Sequence, residues 1–201
     1  ELKRLIASLS ESTTAPDLEL DAAQAAWETK LRSGTISEPR WNVLSPEIFT
    51  SSGGATVTKQ EDGSLLVSGE NPPKEIYEFI TPTTATQLTA VRLEGLLHPS
   101  LTNGGAGRSS NGNVVLSELE LEVASTSEPD NWHKIKLARA WADYEQPDGD
   151  FKIANAIDGN PETGWAIAGH QKQEDRTAIF MAESPFGNEA GTRLKIRLRH
   201  E

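Results

Sequence analysis

The chain has no cysteine, which excludes disulfides, thiolate metal sites, cysteine nucleophiles and any Cys-x-x-Cys-His haem attachment. No stretch approaches eighteen consecutive apolar residues, so no membrane-spanning helix is expected. Basic residues are scarce, 19 against 30 acidic ones, for a formal charge of −11. Duplex nucleic acid and anionic lipid are poor partners for such a surface, because neutralising phosphates takes clustered lysine and arginine. Cations and neutral sugars are compatible with it. Hydrophobic residues are also sparse at 36%. That share suits a chain of short strands with one solvated face and many loops.

Recognisable catalytic arrangements are missing as well. His98, His133, His170 and His200 fall in no His-x-x-x-His or His-Glu-x-x-His pattern, and there is no Gly-x-Ser-x-Gly elbow. No β-α-β alternation, heptad series or internal repeat is present. The glycine-rich run from Gly104 to Asn113 lacks the Gly-Lys-Ser/Thr ending of a phosphate loop, and no helical pattern follows it. It reads as a shaped loop. Within it Arg108 pairs with a carboxylate or reaches a ligand hydroxyl or carboxylate. Nothing here specifies an enzyme, although carboxylates are too numerous for a glycosidase pair to be dismissed.

What is present falls into two textures. Leu2, Leu5, Ile6 and Leu9 recur at helical spacing, and Asp21 is expected to cap a helix over 22–32, with Gly34 just beyond. Leu20, Ala23, Trp27 and Leu31 would form its apolar stripe, docking the helix through Trp27. Residues 1–36 therefore read as a helical lead-in and 37–201 as the main domain. From Trp41 onward the sequence turns to short strands. Residues 55–59 and 65–68 flank Glu61-Asp62-Gly63, a hairpin signal. Strands are also expected over 74–81, 88–97, 113–124, 132–141, 176–182 and 192–198. Leu116 breaks the alternation of Val115, Leu119, Leu121 and Val123, which marks a bulge. Eight to ten short strands argue for an all-β sandwich. The chain begins at Glu1 without a signal peptide and stops just after a strand-like run, so it reads as a piece of something larger.

The densest chemistry lies in Asn155-Ala156-Ile157-Asp158-Gly159-Asn160-Pro161-Glu162-Thr163-Gly164-Trp165. Asp158, Asn160 and Thr163 offer hard oxygens, Gly159 lets the backbone curl so that carbonyls can join them, and Trp165 can anchor the loop. The pattern Ala-x-Asp-Gly-Asn-x-x-Thr-x-Trp resembles the calcium loop of discoidin-like (factor V/VIII type C) domains. Those are galactose-binding-like β-sandwiches of jelly-roll type, many of them carbohydrate-binding modules. The resemblance implies a structural calcium ion held by the Asp158 and Thr163 side chains and by carbonyls of Asn160 and of Asn155 or Ala156. Val115-Leu116-Ser117-Glu118-Leu119-Glu120-Leu121 is similar to the Ile-Ser-Glu-Ile-Glu final strand of the same fold, and implies that Glu118 completes the ion shell. Here that strand precedes the loop, whereas in the family it follows it; a circularly permuted sandwich accounts for the order.

Residues 41–201 also resemble a domain inside large planctomycete proteins that carry cytochrome c-type modules. The matching features are Trp41-Asn42-Val43-Leu44, Gly63-Ser64, Gly69-Glu70-Asn71-Pro72, the run from Gly107 to Asn113 and the Asp158 loop. That resemblance implies an extracytoplasmic module, periplasmic or at the cell surface, with other domains of its parent protein as neighbours. Two functions follow as expectations: a non-catalytic carbohydrate-binding module, or an interaction or spacer domain of a redox protein without a glycan ligand. Sugar recognition needs aromatic platforms and hydrogen-bonding side chains. The candidates are Tyr144, His170, Arg108 and Trp132, with Trp141 a further tryptophan near a turn.

Overall fold

The computed structural model describes residues 17–34 and 40–201. The helical spacing expected at Leu2–Leu9 lies outside them. The chain forms two units, Glu1–Asn42 and Val43–Glu201. In the first, helix α1 spans Leu18–Arg32. Asp17, not Asp21, caps it: the Asp17 carboxylate accepts the N–H groups of Glu19 (3.1 Å) and Leu20 (3.0 Å), two of the donors a helix start leaves unpaired. Asp21 sits in the first turn instead, where its charge complements the helix dipole. None of the helix residues is buried, so the stripe through Leu20 and Trp27 stays exposed.

The second unit is all-β, with strands making up 43% of the structure. The strands are β1 (Ile48–Ser51), β2 (Ala55–Lys59), β3 (Leu65–Gly69), β4 (Glu75–Thr83), β5 (Leu88–Gly95), β6 (Val115–Leu116), β7 (Glu118–Ser125), β8 (Glu128–Lys134), β9 (Leu137–Ala142), β10 (Trp165–Ala166), β11 (Arg176–Phe186) and β12 (Thr192–His200). All pairings are antiparallel. A five-stranded sheet runs β1-β4-β12-β7-β8, a three-stranded sheet β5-β11-β9, and β2-β3 and β6-β10 form two small ladders. The Asp-Gly hairpin forms where expected. Gly63 takes φ 86°, which a residue with a Cβ rarely adopts, and the Asp62 carboxylate accepts the Ser64 N–H at 2.8 Å.

The two larger sheets share their cores. Leu119, Tyr77 and Leu198 of the five-stranded sheet pack in one cluster with Ala178 and Phe180 of β11. Leu121, Val123 and Leu194 pack in a second with Val91 and Phe186. The run 132–141 differs from the single strand expected. It is two strands in two sheets, and the chain crosses between them at Ile135–Lys136. The Ile135 N–H still bonds to the Leu121 carbonyl (2.8 Å), while the Lys136 carbonyl already accepts the Glu183 N–H (2.9 Å). Alternation continues through the crossover, so periodicity alone does not reveal it. At Leu116 the expected bulge is a strand break. Leu116 pairs with Trp165 in β6-β10, and pairing with β12 begins only after Ser117.

A buried glutamate and a half-buried histidine sit at the start of β4 and the end of β12, in register with each other. Glu75 is only 3% exposed. Its carboxylate accepts Ser51 Oγ (2.8 Å), Ser52 Oγ (2.9 Å), and the N–H groups of Gly53 (2.9 Å) and Ile76 (2.9 Å). Burial pushes its carboxyl up, but these donors outweigh it and hold the group below the usual glutamate value. His200 packs on the Tyr77 ring at 5.3 Å, and its Nδ1 donates to the Val115 carbonyl at 2.6 Å. Burial lowers its pKa, while the Val115 carbonyl and the Glu75 charge oppose that and the Arg108 charge adds to it.

Both shifts are downward, so the unfolded chain binds more protons and stability falls on acidification. The His200 contribution is lost as pH falls below the ordinary imidazole value of about 6.5. The Glu75 contribution is lost at lower pH, as Glu75 protonates in the folded state. Melts across pH should show both losses: His200→Gln should flatten the upper one, and Glu75→Gln should flatten the lower one while destabilising the protein by about 1–3 kcal/mol at neutral pH.

Candidate functional site

The Asp158 loop leaves the 3-10 turn Ile153–Ile157, whose Ile153 and Ala156 are buried in the main core. Its other end is fixed by Trp165, which is 4% exposed and donates its indole N–H to the Tyr144 carbonyl at 2.8 Å. Between these anchors the loop is wound by its own polar groups. Asp158 Oδ1 accepts the Asn160 N–H (2.8 Å), and the Thr163 hydroxyl lies 2.9 Å from Asp158 Oδ2 and 2.8 Å from the Asn160 carbonyl. Asn160 Oδ1 accepts the Glu162 N–H at 3.2 Å. Gly159 takes φ 80°, which turns its N–H inward.

That N–H meets a residue far away in sequence. Glu118 Oε1 accepts it at 2.6 Å across a separation of 41 residues. Glu118 is 7% exposed, and Asp158 is the neighbouring acid. Burial raises the Glu118 pKa; the Gly159 N–H opposes this and the neighbouring Asp158 adds to it. Desolvation pushes Asp158 up, but the Asn160 N–H, the Thr163 hydroxyl and the neighbouring Glu118 carboxyl together hold it below the usual aspartate value. Neighbouring carboxylates, one of them buried, disfavour ionisation of both at once.

The structure therefore brings Asp158, Asn160, Thr163 and Glu118 into one place, with Ala156 buried in the turn that precedes them. The Asn155 side-chain amide donates to the Asp150 carbonyl at 2.8 Å, which leaves its own carbonyl, the group the resemblance implicates, out of that bond. Among the described residues no three His, Cys, Asp or Glu side chains converge, so the acidic part of the site is a pair.

The candidate sugar contacts are not gathered in the same way. Lys172 Nζ and Arg176 Cζ lie 4.5 Å and 4.7 Å from the Tyr144 ring centroid. Trp132 carries Lys195 Nζ at 3.9 Å and Arg193 Cζ at 5.3 Å. His170 is exposed in the segment after β10. Arg108 donates to the carbonyls of Glu70 (2.9 Å) and Gly69 (3.4 Å) and to the Tyr77 hydroxyl. It thus clamps the β3–β4 connection and meets no carboxylate among the described residues, because its loop reaches across to backbone oxygens rather than folding on an acid. Trp132 lies beside the start of β12, and Arg108 bonds to Tyr77, which faces Leu198 near its end.

The glycine-rich loop is shaped by close backbone approach. A Cβ on Gly107 would sit 2.3 Å from the Asn113 carbonyl oxygen. Asn113 then ties the loop to its neighbours, donating to Gln146 Oε1 (2.9 Å) and accepting the Gly169 N–H (3.1 Å).

Sequence reasoning missed Arg176. It is 4% exposed, it bonds Glu174 Oε2 at 3.0 Å, and its Nε and Nη2 have no hydrogen-bond partner among the described residues. Its position in step with inward-facing Ala178 and Phe180 was the available signal. No protein-family model, curated protein or solved structure matches the chain.

The geometry separates two glutamate variants in metal-free protein. Glu118→Ala leaves the buried Gly159 N–H unpaired and should cost about 1–3 kcal/mol. Glu118→Gln keeps an acceptor oxygen and removes the charge facing Asp158, so its melting midpoint should equal or exceed that of the wild type.

Proposed function

We propose that this chain is a non-catalytic carbohydrate-binding module with a structural calcium site, built on a galactose-binding-like β-sandwich and belonging to a larger extracytoplasmic protein. The observation that carries the reading is the meeting of Glu118 with the Asp158 loop. The discoidin-like resemblance of two separate segments implies that they share an ion shell, and those segments lie together here despite their reversed order. The residues fit a hard cation. Two carboxylates supply charge, and the Thr163 hydroxyl and Asn160 carbonyl add neutral oxygens on the same turn. Calcium bound there would neutralise the buried Glu118 and pin the loop that holds Trp165 and Tyr144. It has no bond-breaking role in this reading.

A module of this kind acts by recognition alone: a sugar ring stacks on an aromatic face while side chains bond its hydroxyls. No described helix is long and apolar enough to cross a membrane. Attachment to other domains of the parent protein is part of the proposal.

Melting of chelator-stripped protein with and without calcium tests the ion site. Binding to the folded state alone raises the midpoint, by about 2.7 kcal/mol of stability at a hundredfold excess over Kd. Wild type should show that rise and Asp158→Ala should lose it. An unchanged wild-type midpoint would remove the ion from the account.

A further inference from the structure

We propose that the outer face of the β5-β11-β9 sheet, centred on Trp141, is the platform on which the apolar face of a neutral sugar ring stacks. The proposal rests on the carbohydrate-binding reading and gives it a site. Ala140 and Ala142 of β9 pair with Phe180 and Ala178 of β11, whose side chains are buried, so Trp141 points the other way. It is 51% exposed. Most other rings of the Val43–Glu201 unit are already covered. Phe49 packs on Tyr77 and Phe79 at 5.8 Å and 5.2 Å, Trp165, Phe180 and Phe186 are buried, and Tyr144 and Trp132 carry cations.

The surroundings of Trp141 fit a saccharide better than other occupants. Ile179 lies directly across from it and Met181 and Thr177 lie diagonally, while Arg139 and Asp143 flank it along β9. The far strand adds the Arg92–Glu94 ion pair, 2.9 Å apart. A flat apolar centre is thus edged by side chains able to bond hydroxyls, as a pyranose with a C–H face and an equatorial rim requires. Two acids balance two bases on this face, and the chain is strongly acidic, so an anionic polymer finds no net attraction. Ile179 and Met181 are themselves half-buried, which leaves too small an apolar patch for a stable protein interface.

Native affinity electrophoresis of the 201-residue chain tests this, in gels containing a soluble β-glucan, galactomannan or xylan, with alginate as the anionic comparison. Wild type should be retarded by at least one neutral polymer. Trp141→Ala should weaken that binding about tenfold or more, and Trp141→Phe should recover part of it. Because Trp141 is exposed, both Trp141 variants should melt like wild type, and an unaltered melt is required for the comparison. Retardation unchanged in Trp141→Ala but lost in Tyr144→Ala would overturn the platform and leave the carbohydrate reading standing. Retardation by alginate alone would overturn the neutral-sugar assignment. Retardation of the wild type by none of the four polymers would overturn the platform and the carbohydrate reading together.

Discussion

The arrangement depends on one buried break in a strand, at Ser117. On its N-terminal side, Val115 and Leu116 pair with the strand that ends the Asp158 loop; on its C-terminal side, Glu118 onward pairs with β12. Ser117 has no exposed surface, so its polar groups must be satisfied inside. Its N–H donates to the Arg199 carbonyl at 2.8 Å, and its hydroxyl accepts the Glu201 N–H at 3.0 Å. These bonds hold the break against the end of β12 while the chain changes partners. The consequence is positional: Leu116 enters the core beside Trp165, and two residues later Glu118 arrives beneath Gly159. The loop and the glutamate meet because one continuous segment is fastened to both.

The same strand pairing fixes which face is wet. Along β12, Leu194, Ile196 and Leu198 turn inward, and Lys195, Arg197 and Arg199 turn outward between acidic residues of β4 and β7. Arg197 reaches Glu78 at 2.7 Å and Glu122 at 2.9 Å, and Lys195 reaches Glu122 at 3.4 Å. Each partly exposed pair contributes little stability singly. Together they set register, since a slip of one residue would carry three cations into the core. Glu118, on the same sheet, departs from this pattern. Its carboxylate meets a second acid instead of a base, and the electrostatic conflict is local to the loop.

Much of the architecture was legible. The Asp62-Gly63 hairpin, β4, β5, β11 and β12 all carry alternation long enough to read, and Trp165 behaves as the anchor its loop required. β1 and β10 were not legible, because four and two residues are too few to display a period. The crossover at Ile135–Lys136 was hidden because Ile135, Lys136 and Leu137 alternate across it as they would within one strand. Asp17 and Asp21 both precede helix-forming residues, and only the observed cap bonds separate them. At the site, the chemistry of the Asp158 loop could be read from its residue types. That Glu118 joins it depends on long-range pairing, which short-range patterns do not encode, and only the motif resemblance pointed there. The distinction between Trp141 and Trp132 was likewise invisible: both lie in strands, and only the placement of Lys195 and Arg193 covers one ring and leaves the other open.

The central claim is that Glu118 and the Asp158 loop together hold a hard cation beside Trp165. Terbium luminescence tests it directly, because a lanthanide takes the same oxygen donors as calcium and its emission is strongly enhanced by energy transfer from a nearby indole. Excitation of tryptophan in chelator-stripped wild type should yield terbium emission that calcium displaces. That emission should be lost in Asp158→Ala and weakened in Glu118→Gln. Emission that persists unchanged in both variants, or none in the wild type, would contradict the account.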